Sequence, residues 1–171
     1  LETLGYDERT CELARIAGFM HDIGNAVNRT DHALSGAALA FPILRSLGMD
    51  ARETAAVITA IGNHDEKTAN AVTPLSAALI LADKSDVRRS RVRNKEHQSF
   101  DIHDRVNYAV TESKLKIEKD RSMIALNLQI DESICSMYDY FEISKVLIIA
   151  PLRVALTVWK QECDKWEQLK Y

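Results

Sequence analysis

Apolar residues recur at intervals of three and four along most of the first two thirds of the chain, which is the spacing of one face of an α-helix. The pattern predicts helical segments at residues 7–23, 31–47, 50–62, 73–83 and 101–111. Each segment begins at a residue that can accept a hydrogen bond from a first-turn N–H: Asp7, Asp31, Asp50, Thr73 and Asp101. The fourth segment is almost entirely apolar, so we expect it to be central and buried.

The spacing of apolar residues then changes to two. Alternation over residues 115–118 and 124–130, with a turn at Asp120-Arg121-Ser122 between them, predicts a two-stranded antiparallel hairpin. A final amphipathic region, about 134–169, is predicted to be helical, and Pro151 is expected to kink or split it. This region carries no recognisable chemistry, so packing or contact between subunits is its expected role.

These elements together predict a mainly α fold. Residues 1–112 are predicted to form a helical core, and residues 113–171 a small C-terminal β-hairpin and a helical appendage. The chain has 171 residues, of which 46% are hydrophobic. That composition suffices for one domain with a proper core and a small addition, but not for a second full domain.

Charge and cysteine content narrow the functional classes. The formal net charge of −3 gives no general attraction to nucleic acid or to an anionic membrane, so neither is expected as a partner. Three cysteines without a CxxC spacing indicate neither a disulfide framework nor a zinc ribbon. No apolar run approaches the ~18 residues of a membrane span, and no signal peptide is recognisable, so a cytoplasmic location is expected. Because the chain opens on Leu1 without an initiator Met, we expect further residues upstream.

Histidine and aspartate residues stand at the predicted helix ends and on the apolar fourth helix. They are His21, Asp22, His32, His64 and Asp83. Imidazole and carboxylate together suit Fe, Mn, Zn, Co or Ni, and the lack of paired cysteines argues against a structural thiolate site. Spacing alone leaves two interpretations open, because each of the five could instead be a separate cap, core or surface residue.

A run of basic residues follows Asp83. Its members are Lys84, Arg88, Arg89, Arg91, Arg93 and Lys95. The run is either a solvated helix end, where cations are favourable, or an anion site. Lys84, Arg88 and Arg91 are the candidate phosphate ligands. Binding of DNA or RNA is disfavoured, because the chain is acidic and the run contains no aromatic stacking partner.

The five candidate ligands and their neighbours resemble the HD superfamily of metal-dependent phosphohydrolases. The matching stretches are His21-Asp22, Asp31-His-Ala-Leu-Ser-Gly-Ala37, Ile61-Gly-Asn-His-Asp-Glu66 and Leu81-Ala-Asp-Lys-Ser-Asp86. The two-metal branches of that family have the pattern H…HD…H…H…D, and the chain matches all of it except the first histidine. The resemblance covers roughly residues 7–93.

The resemblance implies an all-helical HD core with one or two divalent metal ions. His21, Asp22 and Asp83 would hold one ion, and Asp22, His32 and His64 would hold the second, with Asp22 as the bridge. Asp22, Lys84 and Arg88 would then be the catalytic residues. The family's first histidine would lie upstream of Leu1, and without it the first metal site has one ligand fewer.

The function implied is hydrolysis of a phosphoester or phosphoanhydride bond in a nucleotide or another small phosphorylated metabolite. The segment from His64 to Arg93 looks most like bacterial diadenosine-polyphosphate hydrolases, and His32 and His64 also resemble cyclic-di-GMP phosphodiesterases. Asn25 stands where many relatives have Lys, and Asn63 where the cyclic-dinucleotide branch has a further His. The alternative is a catalytically weak sensor that binds metal and nucleotide, with C-terminal helices for a partner or a homodimer.

Overall fold

The computed structural model of the chain describes residues 1–65, 70–92, 101–118, 123–143, 154–162 and 165–170. Two compact units are present, Leu1–Asp83 and Lys84–Tyr171. This division by compactness lies earlier in the chain than the domain boundary expected at residue 112, which stays a prediction. The described part of the chain is mainly helical, with one small sheet.

The first unit is built from helices joined by short connections. They are α1 (Glu8–Met20), α2 (His32–Ser46), α3 (Ala51–Gly62) and α4 (Pro74–Ser85), whose last two residues belong to the second unit, with a short 3-10 helix at Ile23–Ala26. Three of the predicted caps in this unit are confirmed. Oγ1 of Thr73 accepts a hydrogen bond from the Ser76 N–H at 3.1 Å. Asp7 accepts a hydrogen bond from the Thr10 N–H at 2.9 Å, and Asp50 accepts one from the Arg52 N–H at 2.8 Å. The sequence therefore predicted these helices to within about three residues at each end.

Asp31 lies at the predicted start of α2 but does not cap it with its side chain. Its backbone is left-handed, with φ 57°. Aspartate is one of the few residues other than glycine that adopt this conformation readily, because its short polar side chain tolerates it. Asp31 therefore supplies the tight turn into α2, and the predicted capping bond is wrong.

The apolar faces of the first unit meet in one core. It contains Leu13, Ala17, Met20, Ala40, Leu44, Val57, Ala60, Ile61, Leu75 and Leu79. Residues from all four helices contribute, as the period of three and four predicted. The helix ends that carry the histidines are thus fixed by the packing of the helices themselves.

The described residues of the second unit form a four-stranded sheet, two short α-helices and a 3-10 helix at Arg89–Arg91. Its elements are α5 (Ile102–Ala109), β1 (Val110–Glu118), β2 (Met123–Ile130), α6 (Met137–Ile143), β3 (Val154–Glu162) and β4 (Lys165–Lys170). The strand order is β1-β2-β3-β4. The predicted hairpin is confirmed, since β1 and β2 pair antiparallel with Leu115 opposite Leu126. Its turn residues 120–122 lie outside the described residues.

The helical appendage predicted for about residues 134–169 is wrong over its second half. Among the described residues of this region, only Met137–Ile143 is helical, whereas β3 pairs parallel with β2 and β4 pairs antiparallel with β3. Val154, Thr157 and Val158 favour a strand. The edge of β2 that does not pair with β1 pairs with this segment. The spacing of apolar residues within the segment cannot indicate such a partner. Pro151, expected to kink a helix, lies outside the described residues.

The sequence predicts no membrane-spanning segment. Within the described residues, none of the helices combines the length and the hydrophobicity that such a crossing requires.

Replacing Asp50 with alanine is expected to lower the melting temperature at neutral pH, because α3 loses the acceptor for two first-turn N–H groups. The hydrogen bond from the Arg52 N–H, more than any other contact, holds the pKa of Asp50 below its ordinary value. The amount by which the wild type melts above Asp50→Ala is therefore largest above the ordinary aspartate pKa. It disappears as the pH falls through the lowered pKa of the folded state. Thermal melts of both proteins from neutral to strongly acidic pH measure it.

Asp50→Asn is the matched control, since its amide oxygen still accepts a hydrogen bond but does not titrate. Its advantage over Asp50→Ala should not change with pH in the acidic range. A wild-type advantage that also stayed constant would contradict the assignment.

Candidate metal centre

The five predicted ligands lie at four helix ends of the first unit. His21 ends α1, Asp22 follows it, His32 is the first residue of α2, His64 lies two residues beyond α3, and Asp83 lies in the last turn of α4. The structure brings all five residues into one cluster.

Asp22 is at the centre of this cluster, and its two oxygens face different partners. Oδ2 lies 3.5 Å from Nε2 of His21, which is itself 3.6 Å from Oδ1 of Asp83. Oδ1 lies 3.4 Å from Nε2 of His32 and 4.0 Å from Nε2 of His64. Three of these residues, His21, Asp22 and His64, have ligand atoms that all lie within 4.8 Å of one another, so they could hold a metal ion.

Each histidine is oriented by a backbone carbonyl three residues before it. Nδ1 of His21 donates to the Gly18 oxygen at 2.7 Å. Nδ1 of His32 donates to the backbone oxygen of residue 29 at 3.1 Å, and Nδ1 of His64 donates to that of residue 61 at 2.6 Å. A carbonyl oxygen can only accept, so each Nδ1 carries the proton, and Nε2 of a neutral ring is left with a lone pair. Metal-binding histidines are typically oriented by such a hydrogen bond from the ring nitrogen that does not bind the metal.

The lone pairs of these rings converge without a donor between them. Nε2 of His32 and Nε2 of His64 are 3.2 Å apart, and neither carries a proton when both rings are neutral. Nε2 of His21 is buried and has no hydrogen-bond partner among the described residues. Such a concentration of acceptor atoms and carboxylates is costly unless a cation neutralises it. The donor set therefore fits a divalent metal ion.

The pKa values of two of these histidines move in opposite directions. Burial, more than any other effect, lowers the pKa of His64, so its ring is neutral near pH 7, the form that binds metal. Burial also lowers the pKa of His21, but the Asp83 carboxylate, the Gly18 carbonyl and the charge of Asp22 together outweigh it and raise the net value. A cation at His21 must therefore displace a more strongly held proton than one at His64.

Two glycines allow the chain around Asp22 to pack directly against α2. A Cβ atom on Gly24 would lie 1.9 Å from the His32 carbonyl oxygen and 2.6 Å from the Gly36 nitrogen. A Cβ atom on Gly36 would lie 3.2 Å from the His21 carbonyl oxygen. This backbone contact holds His21 and Asp22 beside His32. A glycine two residues after a ligand pair is the sequence signal that could have indicated this close packing.

The predicted phosphate ligands belong to the residues around the unit boundary. Lys84 follows Asp83 on α4. Arg88 and Arg91 both contact Asp86, Arg88 with Nε 2.9 Å from its carboxylate and Arg91 with Nη1 2.7 Å from its backbone oxygen. Both pairings are solvent-exposed, and an exposed ion pair such as that of Arg88 with Asp86 contributes little to stability. The role of these three residues in binding phosphate stays a prediction.

Comparison with known proteins identifies no relative of this chain. No protein-family model, no curated protein and no solved structure matches the chain. The interpretation of the site therefore depends on its own geometry.

Proposed function

We propose that the chain is a metal-dependent phosphohydrolase of the HD type. The observation that carries the proposal is the placement of Asp22, whose two carboxylate oxygens face His21 on one side and His32 with His64 on the other. One residue that faces two groups of ligands is what a bridge between two cation positions requires. The order of the five ligands along the chain supports the same family.

The ligands would divide into two sets that share Asp22. His21 and Asp83 would complete one set, and His32 and His64 the other. Donors bound to one ion at about 2.1 Å lie roughly 3.0–3.4 Å apart at tetrahedral or octahedral angles. The observed separations of 3.4 and 3.5 Å from Asp22 to His32 and His21 are close to that range. Mixed imidazole and carboxylate ligands favour Fe, Mn, Zn, Co or Ni.

The exposure of the ligands indicates where a substrate would enter. The side chains of His32 and His64 are only 6% and 2% exposed, whereas that of Asp22 is 43% exposed. The histidines thus form the closed floor of the site and Asp22 its open side. A phosphate group would therefore reach the ligand cluster over Asp22, while the buried histidines keep their orientation.

A bound divalent ion supplies a hydroxide at neutral pH by lowering the pKa of a water molecule, and it neutralises charge on a phosphate. The residues of the chain would position the ion and the phosphate group for that reaction. The Nδ1 contacts keep Nε2 of each histidine available, and Asp22 fixes the spacing of the two ligand sets. Lys84, Arg88 and Arg91 are proposed to bind the phosphate oxygens of a nucleotide or similar small substrate.

The test is hydrolysis by purified protein loaded in turn with each of the five metals. Bis(p-nitrophenyl) phosphate and a panel of mono- and dinucleotides would be the substrates. We expect release of product that requires metal, is lost in Asp22→Asn and is retained in Glu8→Gln, which removes an exposed carboxylate near the start of α1. Tight binding of metal and nucleotide without turnover would instead favour the sensor function.

A further inference from the structure

Helix α2 has apolar residues on two opposite faces. One face, with Ala33, Gly36, Ala40 and Leu44, is buried in the first unit. Only one of its fifteen residues, Arg45, is a Lys, Arg, Asp or Glu. A surface helix normally carries charged residues on its outer face, and a helix that is apolar all round is normally covered all round. The outer face of α2 is thus unusual for a solvent-exposed helix.

The outer face forms a continuous stripe, which we call the α2 stripe. Its members are Asp31, Leu34, Ala38, Phe41, Pro42 and Arg45, all of them exposed. Their spacings of three, four and seven place them along one side of the helix. Leu34 is 55% exposed and Phe41 is 52% exposed, so large apolar side chains stand in solvent at its centre. Asp31 and Arg45, of opposite charge, mark its two ends.

The stripe is complementary to itself when its direction is reversed. Asp31 and Arg45 are equally far from Ala38, seven positions on either side. Reversal about Ala38 places Asp31 opposite Arg45 of a second copy, and Leu34 opposite Pro42 of that copy. The stripe runs about 21 Å along the helix axis at 1.5 Å per residue. A small residue at its midpoint allows the two helices to approach closely.

We infer that the α2 stripe is a homodimer interface in which two copies of α2 pack antiparallel about a two-fold axis at Ala38. A two-fold interface uses the same patch on both copies, which the reversed charges of this stripe satisfy. Parallel packing would place Asp31 beside Asp31 and Arg45 beside Arg45, so charge selects the antiparallel arrangement. The metal ligand His32 lies on the other side of the helix and stays within its own copy. This interface is independent of the proposed hydrolase function.

The first experiment measures the oligomeric state by sedimentation equilibrium. We expect a wild-type dimer whose self-association weakens about tenfold or more in Phe41→Glu and in Leu34→Glu, because each buries a charge in the apolar centre. Leu47→Glu is the matched control, since Leu47 is 78% exposed on the same helix segment but outside the stripe. It should leave the dimer unchanged. Thermal melts verify that each variant is folded.

The second experiment tests where the two copies meet and in which direction, and it does not depend on how the charged variants fold. Leu34→Cys would meet its own copy only in parallel packing, so it should not form a disulfide-linked dimer. In a Cys163→Ser background, Ala38→Cys is expected to form a disulfide-linked dimer under mild oxidation, because residue 38 meets its own copy at the axis. Leu47→Cys should not, and Cys11 and Cys135 are buried. A wild-type monomer, including one that instead binds lipid vesicles, would overturn the inference. A dimer that persists in both glutamate variants, or a lack of cross-linking at residue 38, would overturn it as well.

Discussion

Asp22→Asn is expected to lose almost all bound metal. Its metal affinity should fall by more than the roughly 10–100-fold that follows removal of a group hydrogen-bonded to a metal ligand. Asparagine keeps the shape of the side chain but has no negative charge and only one oxygen. Both oxygens of Asp22 face histidine nitrogens, at 3.5 Å and 3.4 Å, so both proposed ligand sets would lose a donor or its charge. No other of the five ligands is placed to affect both sets.

The measurement is elemental analysis of purified protein after dialysis, followed by calorimetric titration with the metal that is found. Glu8→Gln removes one exposed carboxylate near the start of the helix that carries His21, so it controls for the change in net charge. We expect its metal content to equal that of the wild type. Equal metal content in Asp22→Asn and the wild type would refute the assignment of Asp22 as the shared ligand.

Gly24→Ala is expected to destabilise the first unit more than any other alanine substitution at a glycine in that unit. Its Cβ would lie 1.9 Å from the His32 carbonyl oxygen and 2.6 Å from the Gly36 nitrogen, which are backbone atoms that cannot rotate away. Overpacking of a well-filled site usually costs about 1–3 kcal/mol, and backbone obstruction falls at the upper end or beyond. The same displacement would move Asp22 away from His32, so metal affinity should fall together with stability.

Chemical unfolding and metal titration of the same samples measure both effects. Gly18→Ala is the matched control on α1, because a Cβ there meets nothing within 4 Å. Alanine in a helix interior is favoured over glycine by about 0.5–1 kcal/mol, so Gly18→Ala should be neutral or stabilising. The Gly18 carbonyl that orients His21 is unaffected by the change. Similar stabilities for the two alanine variants would show that the contact at Gly24 is not required.

The sequence by itself determined the helices of the first unit and the existence of the β1–β2 hairpin. Those elements follow from local rules: an apolar period of three and four, capping residues such as Asp7 and Asp50, and alternation over residues 124–130. It also indicated which residues could bind metal, because imidazole and carboxylate side chains together suit borderline divalent cations. The left-handed turn at Asp31 and the strands β3 and β4 were not predicted.

Tertiary structure alone decided that the five candidate ligands meet. Residues 21 and 64 are far apart in sequence, and only the packing of four helices on a common core brings their Nε2 atoms to the two sides of Asp22. The strand pairing of β2 with β3 is of the same kind, because a free sheet edge selects its partner through space. Local patterns encode periodicity and caps, whereas convergence of distant residues depends on packing that no single segment contains.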